Sequence, residues 1–249
     1  RESACLARAY GVHLHTHLAE TEDEQQFTLQ HYGLRPLGYM QSLEWVGEDV
    51  WFAHAVHINA EEQKIFAKTG CGVAHCPSSN MRLASGIAPV CEYLQQGVKV
   101  GLGVDGSASN DSSHMLSEVR QAMLLARVRA GLEGASLSRQ GESTLPILTA
   151  RQALEMATVG GARVLGRTDI GSLEVGKCAD FIAINLNHLS YTGALHDPVA
   201  AVVFCYPRNV DYTFVQGKAI VEKSELLALD LPRHIQAHNR AAARLLEDL

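Results

Sequence analysis

The chain has 249 residues, of which 47% are hydrophobic and 19% are charged, and its formal net charge is −6. This length and apolar content suffice for one large domain, or for one domain with a small second one, and they exclude a disordered chain. The negative charge argues against a nucleic-acid or membrane surface as the main partner, so we expect a neutral small molecule.

Strands and helices alternate along the first part of the chain, with short links between them. Helices are predicted at 2–9, 21–31, 59–68 (capped by Asn59) and from Ser112 or Ser113 to about 129, and strands at 12–17, 50–55, 72–75 and 98–104. This rhythm is typical of βα units around a parallel sheet. Four such units are half of an eight-stranded α/β barrel, in which the active site lies at the carboxyl ends of the strands.

The pattern changes after residue 148. One or two helices are predicted at 149–165, short strands at 181–185, 200–204, 212–215 and 219–221, a hairpin tip at 216–218, and a final helix at 232–248. We therefore expect three parts: half a barrel at 1–165, a small β domain at 166–225 and a C-terminal helix at 226–249.

Cysteine usage and hydropathy bear on the compartment. The six cysteines form no CxxC pair and no disulfide framework, which predicts a reducing, cytoplasmic environment. No apolar run reaches the ~18 residues that a membrane-crossing helix needs, so no membrane partner is expected.

Three histidines alternate along the first predicted strand. Because a strand has a period of two, His13, His15 and His17 point to one face. Only His17 lies near the carboxyl end, so we interpret it as functional and the other two as core histidines with satisfied hydrogen bonds. Glu20 follows at the strand's mouth, where its carboxylate would meet a ligand or favour a helix start.

Three further strand ends carry polar side chains. His54 ends the second strand and is favoured over His57, which follows in the loop; His75 and Cys76 end the third, where a pocket-shaping loop is a better interpretation than a metal site. Asp105 follows the fourth strand between glycines, where it is either a turn residue or a ligand. Taken together, His, His and Asp at the ends of three of the strands, in that order, predict a zinc site with an activated water.

Five sequence stretches occur in an order that resembles the amidohydrolase superfamily, in its purine and triazine deaminase branch. They are His-Leu-Ala-Glu at 17–20, Ala-His-Ala-Val-His at 53–57, His-Cys-Pro-Ser-Ser-Asn at 75–80, Gly-Val-Asp-Gly at 103–106 and Gly-Ser-Leu-Glu-Val-Gly-Lys-Cys-Ala-Asp at 171–180. The resemblance implies a (β/α)8 TIM barrel, of which this chain holds the C-terminal half, with a small β-sandwich domain.

The resemblance also implies roles for four residues. His17 and Asp105 would bind one divalent metal ion, with zinc as the first choice and iron as the other, because a His/Asp site accepts both. Asp105 would also take the proton from the attacking water, His54 would steady the hydroxide and contact the substrate, and Glu20 would bind the ring and protonate its nitrogen.

The implied reaction is hydrolytic deamination of a purine-like ring, with 8-oxoguanine, which would give urate and ammonia, as the first candidate. Guanine, a pterin or an s-triazine of the hydroxydechloroatrazine type are alternatives, and a non-catalytic barrel subunit is the alternative of another class. Family members are often dimers or larger, so a homo-oligomer is expected.

One family feature is missing from the sequence. The first barrel strand of the family supplies a His-x-His pair for the metal, but Leu-Ala-Glu after His15-Thr16-His17 marks the fifth strand instead. By this register the first half of the barrel is absent, so we expect the chain to be a fragment of a longer protein, with the His-x-His pair upstream.

Overall fold

A four-stranded parallel sheet forms the first half of the molecule. The computed structural model describes residues 1–134, 145–205 and 209–247. The strands are β1 (Leu14–Leu18), β2 (Val50–His54), β3 (Gly72–His75) and β4 (Lys99–Leu102), in the order β1-β2-β3-β4. Because all neighbours are parallel, the four carboxyl ends lie along one edge of the sheet.

Seven helices accompany these strands in the described residues; four of them were predicted from the sequence and three were not. The helices are α1 (Glu2–Ala9), α2 (Glu22–Tyr32), α3 (Pro36–Ser42), α4 (Ala60–Thr69), α5 (Pro77–Arg82), α6 (Val90–Gln95) and α7 (Met115–Leu132). Helices α3, α5 and α6 have only six or seven residues, too few to show an apolar period in the sequence. The N-cap of α7 is His114, whose ring accepts from the amide of Ser117, and not Ser112 or Ser113 as expected.

Aromatic packing fixes the outer helices to one face of the sheet. Phe52 of β2 stacks on Phe66 of α4 with ring centroids 5.7 Å apart, and Phe66 packs on Tyr93 of α6 at 6.0 Å. All three side chains are completely buried. Burying each ring removes a large apolar surface from water. These three rings are therefore a central part of the core between the parallel sheet and helices α4 and α6.

The second half contains a four-stranded antiparallel sheet. Its elements are α8 (Ala150–Glu155), a π-helical turn (Met156–Gly160), α9 (Gly161–Val164), β5 (Phe181–Ala183), a 3-10 turn (Leu189–Tyr191), α10 (Pro198–Phe204), β6 (Tyr212–Val215), β7 (Lys218–Glu222), β8 (Glu225–Leu226) and α11 (Leu231–Glu247). The predicted hairpin joins β6 to β7 through Gln216 and Gly217, both with positive φ, as a two-residue hairpin loop requires. The division into parts at 1–165, 166–225 and 226–249 stays a prediction.

The strand predicted at 200–204 is wrong, because these residues lie in α10. Asp197 caps that helix by accepting from the amide of Ala200, and Pro198 occupies its first position. This start signal outweighed the β-branched residues that favoured a strand. The predicted final helix reaches 247, and its expected last residue, 248, lies outside the described residues.

All six cysteines are free. Within the three described ranges, no helix combines the length and apolar character needed to cross a membrane.

A close helix–strand approach near the amino ends of the strands gives a direct test of the packing. A Cβ added to Gly160 would lie 2.3 Å from the carbonyl oxygen of Val100, whereas one added to Gly131 on α7 would meet nothing within 4 Å. We predict that Gly160→Ala lowers the free energy of unfolding by about 1–3 kcal/mol, the usual result of overpacking. The matched variant Gly131→Ala should raise it by up to about 1 kcal/mol through helix propensity. Denaturant titration measures both, and equal effects of the two variants would contradict this packing.

Candidate active site

Three predicted residues meet at the carboxyl edge of the parallel sheet. One ligand atom from each of His17, His54 and Asp105 lies within 4.8 Å of the other two. His17 Nε2 is 3.9 Å from Asp105 Oδ1, and His54 Nε2 is 3.8 Å from Asp105 Oδ2. The structure therefore brings together side chains from β1, from β2 and from the loop after β4.

Glu20, the fourth predicted residue, lies beside His54. Its Oε2 is 3.5 Å from His54 Nε2, and its side chain is 21% exposed, against 1% for His54 and 57% for His17. The cluster thus runs from a buried imidazole, that of His54, to an exposed one, that of His17.

The backbone at these strand ends is left-handed. Positive φ angles occur at Ala19 (50°), His54 (69°), Ala55 (47°) and Asp105 (62°), none of which is glycine. Such conformations cost roughly 1–2 kcal/mol per residue and gather at functional sites, where the surroundings hold them in place. Here the chain turns sharply as it leaves each strand, and the turn aims the polar side chains at a common point.

Hydrogen bonds keep Asp105 ionised. Burial raises the pKa of this carboxyl group, but donors from Ser79 Oγ (2.6 Å), the Gly106 amide (2.8 Å) and Ser109 Oγ (3.0 Å) outweigh it, so the pKa lies below its usual value. The carboxylate form is the one that binds a cation.

His54 is held by one ring nitrogen and open at the other. Its Nδ1–H donates to Asn80 Oδ1 at 2.8 Å. Its Nε2 is buried and has no hydrogen-bond partner within the described part of the chain. A buried nitrogen without a partner costs free energy, so this atom is suited to meet a cation or a polar ligand.

Among the described residues, the group of possible metal ligands consists of His17, His54 and Asp105 and does not include the third strand end. Burial lowers the pKa of His75 to about 3 and raises the pKa of the Cys76 thiol to about 12, so near pH 7 the imidazole is neutral and Cys76 is a thiol, not the thiolate that binds metals. His75 is 1% exposed, and Cys76 is the N-cap of α5. Where the sequence predicted a pocket-shaping loop, the chain forms this short helix.

The structure shows contacts that sequence reasoning missed. His57, expected to be a polar loop residue, donates from Nε2 to the Ser85 carbonyl oxygen at 2.8 Å, and Ser85 Oγ makes a long 3.4 Å hydrogen bond to Glu20 Oε1. Arg35 Nη2 donates to the His57 carbonyl oxygen at 2.8 Å. These partners are distant in sequence, so no local pattern could indicate them.

The two other histidines of the predicted first strand are not core residues, contrary to expectation. His13 lies just before β1 and His15 lies within it, and both are exposed. His15 stacks on Trp51 with ring centroids 3.5 Å apart, and its Nδ1–H donates to the Trp51 carbonyl oxygen at 3.3 Å. His15 thus contacts Trp51, whereas His17 lies at the carboxyl edge of the sheet, close to Asp105.

The chain belongs to the amidohydrolase family, whose model matches residues 1–220. It is 46% identical over 246 residues to 8-oxoguanine deaminase from Pseudomonas aeruginosa, covering 99% of this chain and 52% of that protein. It is 40% identical over 232 residues to hydroxydechloroatrazine ethylaminohydrolase from Pseudomonas sp. strain ADP, covering 92% of this chain and 45% of that protein. The chain thus spans about half the length of the curated relatives it matches.

A crystal structure of an adenosine deaminase from Xanthomonas campestris with bound zinc superimposes with a TM-score of 0.89 and 32% identity, covering 98% of this chain and 53% of that one. The predicted fold class, half of an α/β barrel of the amidohydrolase type, is therefore confirmed. Imidazole nitrogen and carboxylate oxygen are donors that zinc prefers, and the unpartnered Nε2 of His54 fits the same interpretation. The three residues are thus suited to form part of a divalent metal shell.

The buried His75 predicts a specific pH dependence of stability. The unfolded chain takes up a proton below about pH 6.5, while the folded state resists it down to about pH 3. Stability is therefore complete above pH ~6.5 and falls as the pH drops. Between pH 7 and pH 5 we predict a loss of about 2 kcal/mol that is absent in His75→Leu. Denaturant titrations at both pH values measure it, with the exposed His234→Leu as control; parallel curves for wild type and His75→Leu would refute the burial effect.

Proposed function

We propose that the protein containing this chain is a metal-dependent amidohydrolase that deaminates a purine-like ring, and that 8-oxoguanine is its preferred substrate. The observation that supports this proposal most is that ligand atoms of His17, His54 and Asp105 lie within 4.8 Å of one another, with Glu20 beside them. The similarity to 8-oxoguanine deaminase supports the choice of substrate.

His17 and Asp105 would hold the metal ion, and His54, whose Nε2 is 3.8 Å from Asp105 Oδ2, would contact the ion or its water. A bound divalent cation supplies Lewis-acid activation, which lowers the pKa of a coordinated water to about 7. The remaining ligands, a His-x-His pair expected upstream of this chain, belong to the proposal. Zinc is the first choice.

The side chains present account for the proton transfers. Asp105, held ionised by three donors, would accept the proton of the attacking water. Glu20, whose Oε2 is 3.5 Å from His54 Nε2, would donate a proton to the ring nitrogen next to the carbon under attack. Asp105 would then return its proton to the amino group as the carbon–nitrogen bond breaks, and Glu20 would regain a proton from the new hydroxyl group as it becomes a carbonyl. The sum is 8-oxoguanine and water giving urate and ammonia.

The second candidate, an s-triazine aminohydrolase, is favoured by the similarity to hydroxydechloroatrazine ethylaminohydrolase. Both reactions replace an amino substituent on a flat nitrogen-containing ring by hydroxyl. The non-catalytic alternative has less support, because a binding subunit has no need to keep two carboxylates within 4 Å of a buried imidazole.

Substrate choice is tested with a panel on the full-length protein. We predict that 8-oxoguanine gives the highest kcat/KM among 8-oxoguanine, guanine, a pterin and an alkylamino-hydroxytriazine, measured by release of ammonia or amine. Turnover of the triazine alone would overturn the purine assignment in favour of the second candidate. Inert behaviour towards all four, together with no bound divalent metal after mild purification, would favour the non-catalytic alternative.

The role of Asp105 is tested against a neighbouring histidine. We predict that Asp105→Ala lowers kcat by about 10³-fold or more, because it removes both a ligand and the proton acceptor. His13→Ala should leave kcat within about twofold, because this exposed side chain lies away from the cluster. Steady-state kinetics with matched melting curves measure both. If His13→Ala loses as much activity at an unchanged melting temperature, the histidine assignment is wrong.

A further inference from the structure

Three consecutive residues at the start of α5 each contact a different part of the site. Asn80 Oδ1 accepts from His54 Nδ1 at 2.8 Å, and Ser79 Oγ donates to Asp105 Oδ2 at 2.6 Å. Ser78 donates to Glu118 of α7 through its amide (3.1 Å) and its hydroxyl (2.6 Å). One turn of helix thus contacts His54, Asp105 and a buried anchor, Glu118.

The contacts of this turn are shielded from water. Ser79, Asn80 and Glu118 are each completely buried, and His54 shows no exposed surface. The contact between Asn80 and His54 is therefore made away from water, and each hydrogen bond restrains the group it touches.

Glu118 fixes the turn to the loop that carries Asp105. Its Oε1 accepts from Asn110 Nδ2 at 2.9 Å, and the same Nδ2 donates to the Val104 carbonyl oxygen at 2.8 Å. A buried carboxylate is costly unless donors surround it, and here Ser78 and Asn110 supply three hydrogen bonds. Glu118 therefore ties α5 to the residue that precedes Asp105.

The contact with Asn80 selects one form of the imidazole. An oxygen acceptor at Nδ1 requires a proton on that nitrogen, which leaves the Nε2 of a neutral ring with its lone pair. That Nε2 is the atom 3.5 Å from Glu20 and 3.8 Å from Asp105. Ser79 and Ser109 donate to Oδ2 of Asp105, while Oδ1 accepts from the Gly106 amide and lies on the side of His17.

We propose that Asn80 and Ser79 are positioning residues of the active site. Asn80 sets the ring orientation and tautomer of His54, and Ser79, with Ser109 and the Gly106 amide, sets the rotation of the Asp105 carboxylate. Glu118 anchors the turn that carries Asn80 and Ser79. The catalytic meaning of this assignment rests on the proposed function. Partners of this kind around metal sites typically change metal affinity or activity by 10–100-fold when removed.

Asn80 is tested in the full-length enzyme with three variants. Asn80→Ala removes the acceptor, Asn80→Asp keeps an oxygen at the same distance, and Asn59→Ala makes the same chemical change at the cap of α4, away from the site. We expect Asn80→Ala to lower kcat by about 10–100-fold with KM within about threefold, Asn80→Asp to recover at least about tenfold of that loss, and Asn59→Ala to keep wild-type kcat. Crystal structures of the variants should show the His54 ring rotated only in Asn80→Ala.

Ser79 is tested by metal affinity, which needs no substrate. Ser79→Ala removes a single oxygen atom and should weaken divalent zinc binding, measured by chelator competition, by about 10–100-fold. Ser42→Ala, which removes a hydroxyl that donates to the Tyr39 carbonyl oxygen on α3, is the control and should bind zinc like wild type. If Asn80→Ala does not fold, this smaller change still tests the same helix turn.

The outcomes separate the two proposals. If the wild type turns over a substrate while Asn80→Ala and Ser79→Ala match it in kcat and zinc affinity, the positioning assignment is overturned and the proposed function stands. If Asn80→Asp is as impaired as Asn80→Ala, the acceptor role of Asn80 is overturned. If no substrate is turned over but Ser79→Ala weakens zinc binding and Ser42→Ala does not, the proposed function falls and the positioning of Asp105 is supported.

Discussion

The close approach of two carboxyl groups to one buried imidazole, at the carboxyl edge of the parallel sheet, is the constraint on which the rest of the arrangement depends. Glu20 and Asp105 each place a carboxylate oxygen within 4 Å of the same buried nitrogen of His54. A carboxyl group that is partly removed from water beside a buried imidazole is costly to ionise unless donors or a cation surround it. The surrounding hydrogen-bond donors offset part of this cost, and on our proposal a divalent cation offsets the remainder.

The chain turn at the strand ends is the second part of the same arrangement. His54 and Ala55 are left-handed, and the Ala55 amide donates to the Leu18 carbonyl oxygen at 3.0 Å while the Tyr93 hydroxyl donates to the Ala55 carbonyl oxygen at 2.6 Å. Tyr93 is also part of the buried aromatic layer that holds α4 and α6 on the sheet. The Tyr93 side chain therefore links the packing of the core to the geometry of the site. Its hydrogen bond helps to hold the strained turn at His54 and Ala55, although neither residue is glycine.

The sequence predicted the parts of this arrangement that depend on local patterns. The alternation of apolar strands and capped helices located β1 to β4, and parallel pairing then required His17, His54 and Asp105 to share an edge. It could not predict the roles of Ser79 and Asn80, because α5 is too short for an apolar period and their partners are 26 residues away. The strand expected at 200–204 failed because Asp197 and Pro198 start a helix whose apolar residues also suit a strand.

The central claim is that these side chains share one cation, and crystallography of the full-length protein grown with zinc tests it most directly. An anomalous difference map at the zinc edge should show one peak within about 2.3 Å of both His17 Nε2 and an oxygen of Asp105, the usual range of zinc–ligand distances. A map without a peak at this edge of the sheet, or with a peak bound by neither residue, would contradict the account.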